Sequence, residues 1–183
     1  MTGDIVTPEV RSRMMSNIRG KNTKPELLVR SGIHKRGFRY RLHANRIPGK
    51  PDIVLPKYQA ALFINGCFWH GHDCHLFKWP KTRREFWFEK ISSNKKRDLS
   101  VRKSILASGW RYLDVWECAL KGRNRLDYDC ALDLIEDWIK SGRRTGEISS
   151  RNTEASPTTT SGSNNPSSGS EGRPARRGNL PPF

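Results

Sequence analysis

The segment from Cys67 to His75 constrains the fold of this chain more than any other feature of the sequence. It reads Cys-Phe-Trp-His-Gly-His-Asp-Cys-His, and two further cysteines follow at Cys118 and Cys130. A tetrahedral zinc site needs four thiolate or imidazole ligands, and a loop that carries several of them loses little chain entropy on binding. A cysteine from farther along the chain would close such a site and join two parts of the fold. The pattern therefore predicts a metal centre.

The spacing also leaves a second interpretation open, because Cys-x6-Cys is not the spacing of a zinc finger. In that interpretation, Cys67 and Cys118 are small buried apolar side chains at strand ends, and the histidines contact phosphate at the surface. Cys130 falls on the apolar stripe of a predicted helix, so we expect it in the core and not among the ligands.

Local patterns predict an α/β fold with a small mixed sheet flanked by helices. Two capping boxes, Thr23 with Glu26 and Thr82 with Glu85, each begin a helix. Further helices are expected from Thr7 and over residues 128–139. Strands are expected over residues 38–42, 53–55, 60–64 and 110–115.

The last 43 residues have a different composition from the rest of the chain. Of residues 141–183, 14 are Ser or Thr, six are Gly and five are Pro, and the large apolar side chains are Ile148, Leu180 and Phe183. Such a segment buries too little surface to offset the entropy of ordering. We therefore expect one folded domain over residues 1–140 and a disordered Ser/Thr/Gly/Pro-rich tail over 141–183.

The charge of the chain indicates a polyanionic partner. There are 34 Lys and Arg residues against 18 Asp and Glu, a formal net charge of +16, and the tail accounts for only +3 of it. No apolar run approaches the roughly 20 residues of a membrane-spanning helix. The N-terminus lacks the pattern of a signal peptide, so we expect a cytoplasmic protein.

Asp52, at the head of an apolar run, is a candidate metal ligand for phosphodiester hydrolysis, with Glu26 and His70 as possible companions. Such a reaction needs a carboxylate that holds Mg²⁺ and a nearby group that acts as a base. Alternatively, Asp52 is a turn residue after Pro51 or the partner of a basic side chain. The capping box by itself accounts for Glu26.

Several motifs resemble those of the very-short-patch repair (Vsr) DNA mismatch endonucleases, a branch of the restriction-endonuclease-like nucleases. The resemblance spans about residues 8–139. Its motifs are Pro-Gly-Lys-Pro-Asp at 48–52, Phe-Ile-Asn-Gly-Cys-Phe-Trp-His-Gly-His-Asp-Cys at 63–74, Phe-Trp at 86–87, Arg-Asp at 97–98 and Val-Trp-Glu-Cys at 115–118. The expected activity is a nick beside the T of a T:G mismatch, the lesion left when 5-methylcytosine deaminates.

The resemblance also implies roles for individual residues. Asp52 would bind Mg²⁺ with help from the backbone of Ile64, and His70 would activate or position the water. Glu26 would support the site. Asn65 stands where the family often has His, so an amide would contact the phosphate there. A structural zinc would be held by Cys67, His72, Cys74 and Cys118, and the wedge that enters the DNA stack would consist of Met15, Phe68 and Trp69.

The implied partner is double-stranded DNA with a T:G mismatch, together with mismatch-repair proteins. We expect a monomer without membrane contact, associated with the nucleoid in a bacterium. Two other functions fit the residues: a sequence-specific restriction or homing-type nuclease that cuts matched DNA, and a non-catalytic zinc-bearing DNA-binding module in which Asp52 is only structural.

Overall fold

A four-stranded mixed sheet forms the centre of the fold in the computed structural model, which describes residues 7, 9–10, 13, 20–42 and 44–151. The strands are β1 (Ile53–Leu55), β2 (Ala60–Asn65), β3 (Arg111–Trp116) and β4 (Thr145–Ile148), arranged in that order. β1 pairs antiparallel with β2, and the other two pairs are parallel. The predicted mixed sheet is therefore confirmed.

Helices cover both faces of this sheet: α1 (Lys24–Lys35), α2 (Arg84–Ala107), the short α3 (Glu117–Leu120) and α4 (Tyr128–Ser141). Successive side chains of a strand point to opposite faces. On one face, Leu62 and Leu113 pack with the buried sides of α1 and α4. On the other face, Val54 packs with Ile105 of α2. The predicted stripe of α4 is buried, namely Ala131, Leu132, Ile135, Trp138 and Ile139.

The start of α1 agrees with the sequence, whereas the start of α2 does not. Thr23 accepts a hydrogen bond from the Glu26 amide at 3.4 Å, and the Glu26 carboxylate accepts one from the Asn22 amide at 2.9 Å. The capping box at Thr23 is therefore confirmed. The one predicted at Thr82 is wrong, because α2 begins after Arg83 in a left-handed conformation without a side-chain cap.

The strand predicted before β1 needs correction. The strand expected over residues 38–42 is reduced to a single bridge between Arg41 and Val54. Phe38 is buried, but Leu42 is exposed, so the alternating pattern does not continue to its end.

The fold also extends beyond residue 140, which corrects the expected start of the tail. After Gly142 turns the chain with φ of 72°, β4 pairs with β3 and buries Ile148 in the main core. Pairing with a distant strand thus orders a segment whose own apolar content is small. Residues 152–183 lie outside the described residues, as do Met15 and most of the helix predicted from Thr7. Among the described residues, no helix has the length and apolar character needed to cross a membrane.

Candidate active site and metal centre

A cleft of about 490 Å³ opens at the carboxyl end of β2, beside the start of α1. It brings together all five residues predicted for catalysis or magnesium binding: Glu26, Asp52, Ile64, Asn65 and His70. The carboxyl ends of parallel strands are a common place for ligand sites in α/β folds. The cleft is therefore the candidate active site.

Strand β2 fixes the carboxylate of Asp52. Asp52 follows the turn at 48–51, in which Gly49 has φ of 78°, and it directly precedes β1. Its Oδ2 accepts a hydrogen bond from the backbone N–H of Ile64 at 2.8 Å. The antiparallel pairing of β1 with β2 therefore orients this carboxylate in the cleft, where it can serve as an oxygen ligand for a hard cation.

The imidazole of His70 is held by Asp98 of α2. The His70 Nδ1 and Asp98 Oδ2 atoms lie 2.5 Å apart. Burial disfavours the charged form of Asp98, but the hydrogen bond with His70 and the charges of His70, Arg102 and Arg97 hold the pKa of Asp98 below its usual value. An ionised Asp98 binds the protonated Nδ1, so the other ring nitrogen, Nε2, is left as the acceptor.

Sequence reasoning assigned no role to Asp98. A signal was present, because Ile91 and Asn94 are buried on α2 and Asp98 follows them at helical spacing, which puts it on the same face. Its partner is 28 residues away in the chain, so no local pattern identified the pair.

Asn65 belongs to a buried polar network in addition to lining the cleft. Its Nδ2 donates to Asp114 Oδ1 at 2.7 Å. Arg102 donates to the same carboxylate from Nε at 2.6 Å and from Nη2 at 2.8 Å. One amide hydrogen of Asn65 is therefore directed at the protein, and the network joins β2, β3 and α2 beneath the cleft.

Glu26 lines the cleft but is almost fully buried, with 3% of its surface exposed. Its Oε2 accepts hydrogen bonds from Arg30 at 2.9 Å and from the backbone N–H of Asn22. Its Oε1 accepts one from the Thr23 hydroxyl at 3.0 Å. These bonds satisfy both carboxylate oxygens within α1 and its cap. Glu26 therefore stabilises the wall of the cleft.

Four possible metal ligands form a separate site, which we call the metal cluster. The ligand atoms of Cys67, His72, Cys74 and Cys118 all lie within 4.8 Å of one another. The Sγ atoms of Cys67 and Cys118 are each 3.6 Å from His72 Nδ1. At a tetrahedral angle, zinc bonds of about 2.3 Å to sulfur and about 2.0 Å to nitrogen put the sulfur and the nitrogen about 3.5 Å apart, close to the observed distances. The donors thus fit a tetrahedral zinc ion.

The two buried thiols of this cluster differ in acidity. A hydrogen bond between them, together with burial, raises the pKa of Cys67, and the same hydrogen bond lowers the pKa of Cys118. Cys130 is exposed on α4 and lies outside the cluster, so its predicted core position is wrong.

The loop after β2 packs tightly against α2, and its histidines His70 and His72 lie at different sites. Gly71 has φ of 57°, and a Cβ atom there would lie 2.6 Å from Cγ2 of Ile91. Asn94 of α2 donates to the carbonyl of Trp69 at 2.8 Å. His70 lines the cleft, whereas His72 belongs to the metal cluster and stacks on Trp116 at a ring distance of 4.1 Å.

Phe68 and Trp69 lie in an aromatic surface cluster. Their rings are 5.3 Å apart, and both contact Trp87 of α2. Both are half-buried and lie outside the buried core clusters of the described residues. Neighbouring rings of Trp79, Phe86 and Phe88 are exposed. This part of the surface can therefore offer aromatic rings to a ligand.

The sequence of this chain is similar to those of known DNA endonucleases. A family model described as DNA mismatch endonuclease Vsr matches residues 3–76. The type II nicking enzyme V.XorIIP of Xanthomonas oryzae is 44% identical over 124 residues, which cover 68% of this chain and 91% of that protein. The DNA mismatch endonuclease Vsr of Escherichia coli is 40% identical over 136 residues, 74% of this chain and 87% of that protein. The type II nicking enzyme V.NmeAIP of Neisseria meningitidis is 47% identical over 120 residues, 66% of this chain and 86% of that protein.

Proposed function

Because this chain belongs to the Vsr family of DNA mismatch endonucleases, we propose that it nicks one strand of duplex DNA beside the T of a T:G mismatch. Its mixed sheet flanked by helices is the restriction-endonuclease-like fold of that family. The nick would start very-short-patch repair of the lesion that 5-methylcytosine leaves on deamination.

The observation that carries the proposal is the meeting of two fixed groups in one open cleft. Asp52 is oriented by the Ile64 amide, and His70 is oriented by Asp98. Asp52 and the backbone of Ile64 would hold Mg²⁺, which prefers oxygen ligands. When bound, this ion neutralises charge on the phosphate.

The proton transfer falls to His70 in this mechanism. With Nδ1 held by Asp98, Nε2 accepts the proton of the water that attacks phosphorus. The water oxygen forms a bond to phosphorus while the bond from phosphorus to one deoxyribose oxygen breaks. That oxygen takes a proton from solvent and leaves as a hydroxyl, which completes the nick in that strand. Glu26 supports the wall that faces Asp52, and Asn65 holds the end of β2 through Asp114. Both residues act by positioning the site.

We propose that the metal cluster holds a structural zinc. Three thiolates and one imidazole are the donors that zinc favours, and a full set of four protein ligands leaves no position for substrate. The ion would link the loop after β2 to the start of α3, where Cys118 lies. It would thereby fix the loop that also carries His70.

We propose that Phe68 and Trp69, with Met15 from outside the described residues, form the wedge that unstacks the DNA at the mismatch. Aromatic wedges cost a few kcal/mol of unstacking, and a mismatched step costs less because its own stacking is weak. Selectivity would then come partly from the deformation energy of DNA. The net charge of +16 favours approach to the phosphate backbone.

The Trp69→Ala variant tests the wedge. We expect its thermal stability to stay within about 1 kcal/mol of wild type, as for most surface substitutions. Its preference for mismatched over matched DNA should fall sharply. Fluorescence of 2-aminopurine beside the mismatch should rise with wild type and stay quenched with a Phe68→Ala, Trp69→Ala double variant. An unfolded double variant, or full brightening with it, would assign both rings to packing.

Labelled duplexes with and without one T:G pair, each incubated with Mg²⁺ or a chelator, test the activity itself. We expect a nick only in the T-containing strand of the mismatched duplex, and only with Mg²⁺. Cleavage of matched DNA would favour a restriction or homing-type nuclease. A retarded but uncut duplex would favour a non-catalytic DNA-binding module.

The setting of the reaction follows from the proposed substrate. We propose a cytoplasmic monomer, associated with the nucleoid in a bacterium, that acts together with mismatch-repair proteins. One active site suffices because only one strand is cut. Size-exclusion chromatography coupled to light scattering, with and without mismatched DNA, measures the oligomeric state directly.

A further inference from the structure

The strand β4 brings a carboxylate to the outer side of the metal cluster. Glu147 Oε1 lies 3.6 Å from Nε2 of His72, the ring nitrogen that faces away from the thiols. The same oxygen accepts a hydrogen bond from Trp116 Nε1 at 2.9 Å. Trp116 also stacks on the His72 ring, with an angle of 10° between the planes. Glu147 and Trp116, which are hydrogen-bonded to each other, therefore both hold the imidazole of His72.

The residues after β4 reach the same cluster from the backbone. The amide of Ser150 donates to Cys118 Sγ at 3.4 Å. Arg151 donates from Nη2 to the carbonyl of Asp73 at 2.6 Å and to its Oδ2 at 2.7 Å. Asp73 lies between His72 and Cys74 in the chain. The segment over residues 147–151 thus contacts a ligand imidazole, a ligand thiolate and the loop that joins two ligands.

We infer that residues 147–151 form the outer shell of the metal centre, with Glu147 as the positioning residue for His72. This inference rests on the zinc site proposed above. When His72 Nδ1 binds a cation, Nε2 must carry the proton, and the ring gains positive charge. A carboxylate at 3.6 Å stabilises that charge, and its bond to Trp116 keeps it in place. Such partners of a ligating histidine fix its orientation and its affinity for metal.

The Ser150 amide acts on a different ligand in the same way. An N–H that donates to Cys118 Sγ at 3.4 Å fixes the orientation of this ligand, as outer partners of metal ligands commonly do. Residues 147–151 and a bound metal ion therefore stabilise each other. The order of this segment is coupled to the occupancy of the metal cluster.

Zinc affinity, measured on the full chain by competition with a chromophoric chelator, tests the role of Glu147. The Glu147→Gln substitution keeps the shape and an acceptor for Trp116 but removes the charge. We expect its zinc affinity to fall roughly 10–100-fold, the usual cost of losing such a partner. Asp137→Asn on α4 makes the same change at an exposed residue outside the metal cluster, and its affinity should equal that of wild type.

A spectroscopic readout separates positioning from general stability. Co²⁺ in place of zinc gives absorption bands that depend on ligand geometry, so the bands of Glu147→Gln should shift while those of Asp137→Asn should not. Circular dichroism at saturating zinc should show the same fold in all variants. Unchanged affinity and unchanged bands in Glu147→Gln would overturn the role of Glu147.

A pair of substitutions at Ser150 tests the backbone contact independently. Ser150→Pro removes the N–H that faces Cys118, whereas Ser150→Ala keeps it. Ser150→Ala loses only the hydroxyl, which also bonds to Cys118, so we expect zinc binding to weaken in both variants and to weaken more in the first. Equal affinity of both variants and wild type would remove Ser150 from the outer shell. Failure of the metal site itself would look different, because wild type would then bind no zinc or Cys118→Ser would bind it as tightly.

Discussion

The metal cluster and the cleft share one loop, yet they present their reactive groups in opposite ways. In the cluster, the thiols of Cys67 and Cys118 are fully buried and face the imidazole of His72. In the cleft, Asp52 and His70 line an open space of about 490 Å³, and protein partners hold them from behind. A set of four donors that face one another builds structure, whereas fixed groups that line an open space can meet a substrate.

This difference predicts that a change in the cluster acts on folding and a change in the cleft acts on chemistry. The two sites are close together, because Trp116 has ring contacts with both His70 and His72. Separating an effect on folding from an effect on chemistry is therefore a stringent test. Substitutions on either side of this tryptophan should nevertheless have separate consequences.

The largest expected effect is that of Cys118→Ser. Because binding of a structural zinc contributes folding free energy on the order of 10 kcal/mol, loss of one ligand should unfold the protein. Metal analysis of wild type should find about one zinc per chain, as expected for a single four-ligand site. Cys130→Ser is the matched control, since Cys130 is exposed on α4, and it should keep both the zinc and the fold. A folded, zinc-loaded Cys118→Ser protein would contradict the assignment of the cluster.

Asp52→Asn should abolish nicking without altering the fold. The substitution keeps the size of the side chain and removes the charge that would hold Mg²⁺. DNA binding should remain near wild type or tighten, because the substitution removes one negative charge from a surface that contacts phosphate. Nicking rates and gel retardation on the same T:G duplex measure the two properties. Activity within a few-fold of wild type would exclude Asp52 from the active site.

His70→Ala should slow nicking roughly 10²–10⁴-fold, the usual contribution of a general acid or base. The zinc content should stay at the wild-type value, because His72 and not His70 belongs to the cluster. Single-turnover rates at saturating enzyme separate the chemical step from binding. If His70→Ala instead lost its zinc and kept its rate, the roles of the two histidines would have to be exchanged.

The reactive residues of the two sites were predicted better than the contacts that orient them. The Cys/His-rich loop is recognisable because its residue types are scarce and closely spaced, whereas the full ligand set and the assignment of the cleft residues came from the resemblance to the Vsr family. β4 was missed because Ile148 is its only buried apolar side chain and its order comes from pairing with β3. The partner of Asn65 was missed because Asp114 lies 49 residues away.

Local signals succeeded where one helix contains the whole interaction. Thr23 and Glu26 are three residues apart and cap α1 as expected, and the stripe of α4 is buried. Cys130 failed because it precedes Ala131 by one residue, which turns it roughly 100° around α4 and away from the buried stripe. Hydrophobic periodicity defines a face of a helix, but the neighbouring elements decide how wide the buried part of that face is.

The smallest expected effect concerns Asp98, which orients His70 in the cleft and also contributes to the stability of the fold. The pKa of Asp98 is lowered in the folded protein, so the folded state binds this proton less readily than the unfolded state. The resulting stabilisation is present at neutral pH, above the ordinary carboxyl pKa of about 4, and is lost as the pH falls through the lowered pKa. Asp98→Asn removes this ionisation. The difference in unfolding free energy between wild type and Asp98→Asn should therefore be largest near neutral pH and shrink in acid.

Urea denaturation of both proteins at several pH values, each at saturating zinc, measures this difference. Acid also protonates the thiolates of the cluster, but that loss is common to both proteins and cancels when they are compared. Nicking at neutral pH should be slower in Asp98→Asn, because an amide can present its N–H to His70 Nδ1 and so favour the wrong tautomer. A stability difference that stays constant with pH would mean that Asp98 contributes through packing. The hydrogen bond with His70 would then act on the chemistry of the cleft and not on folding.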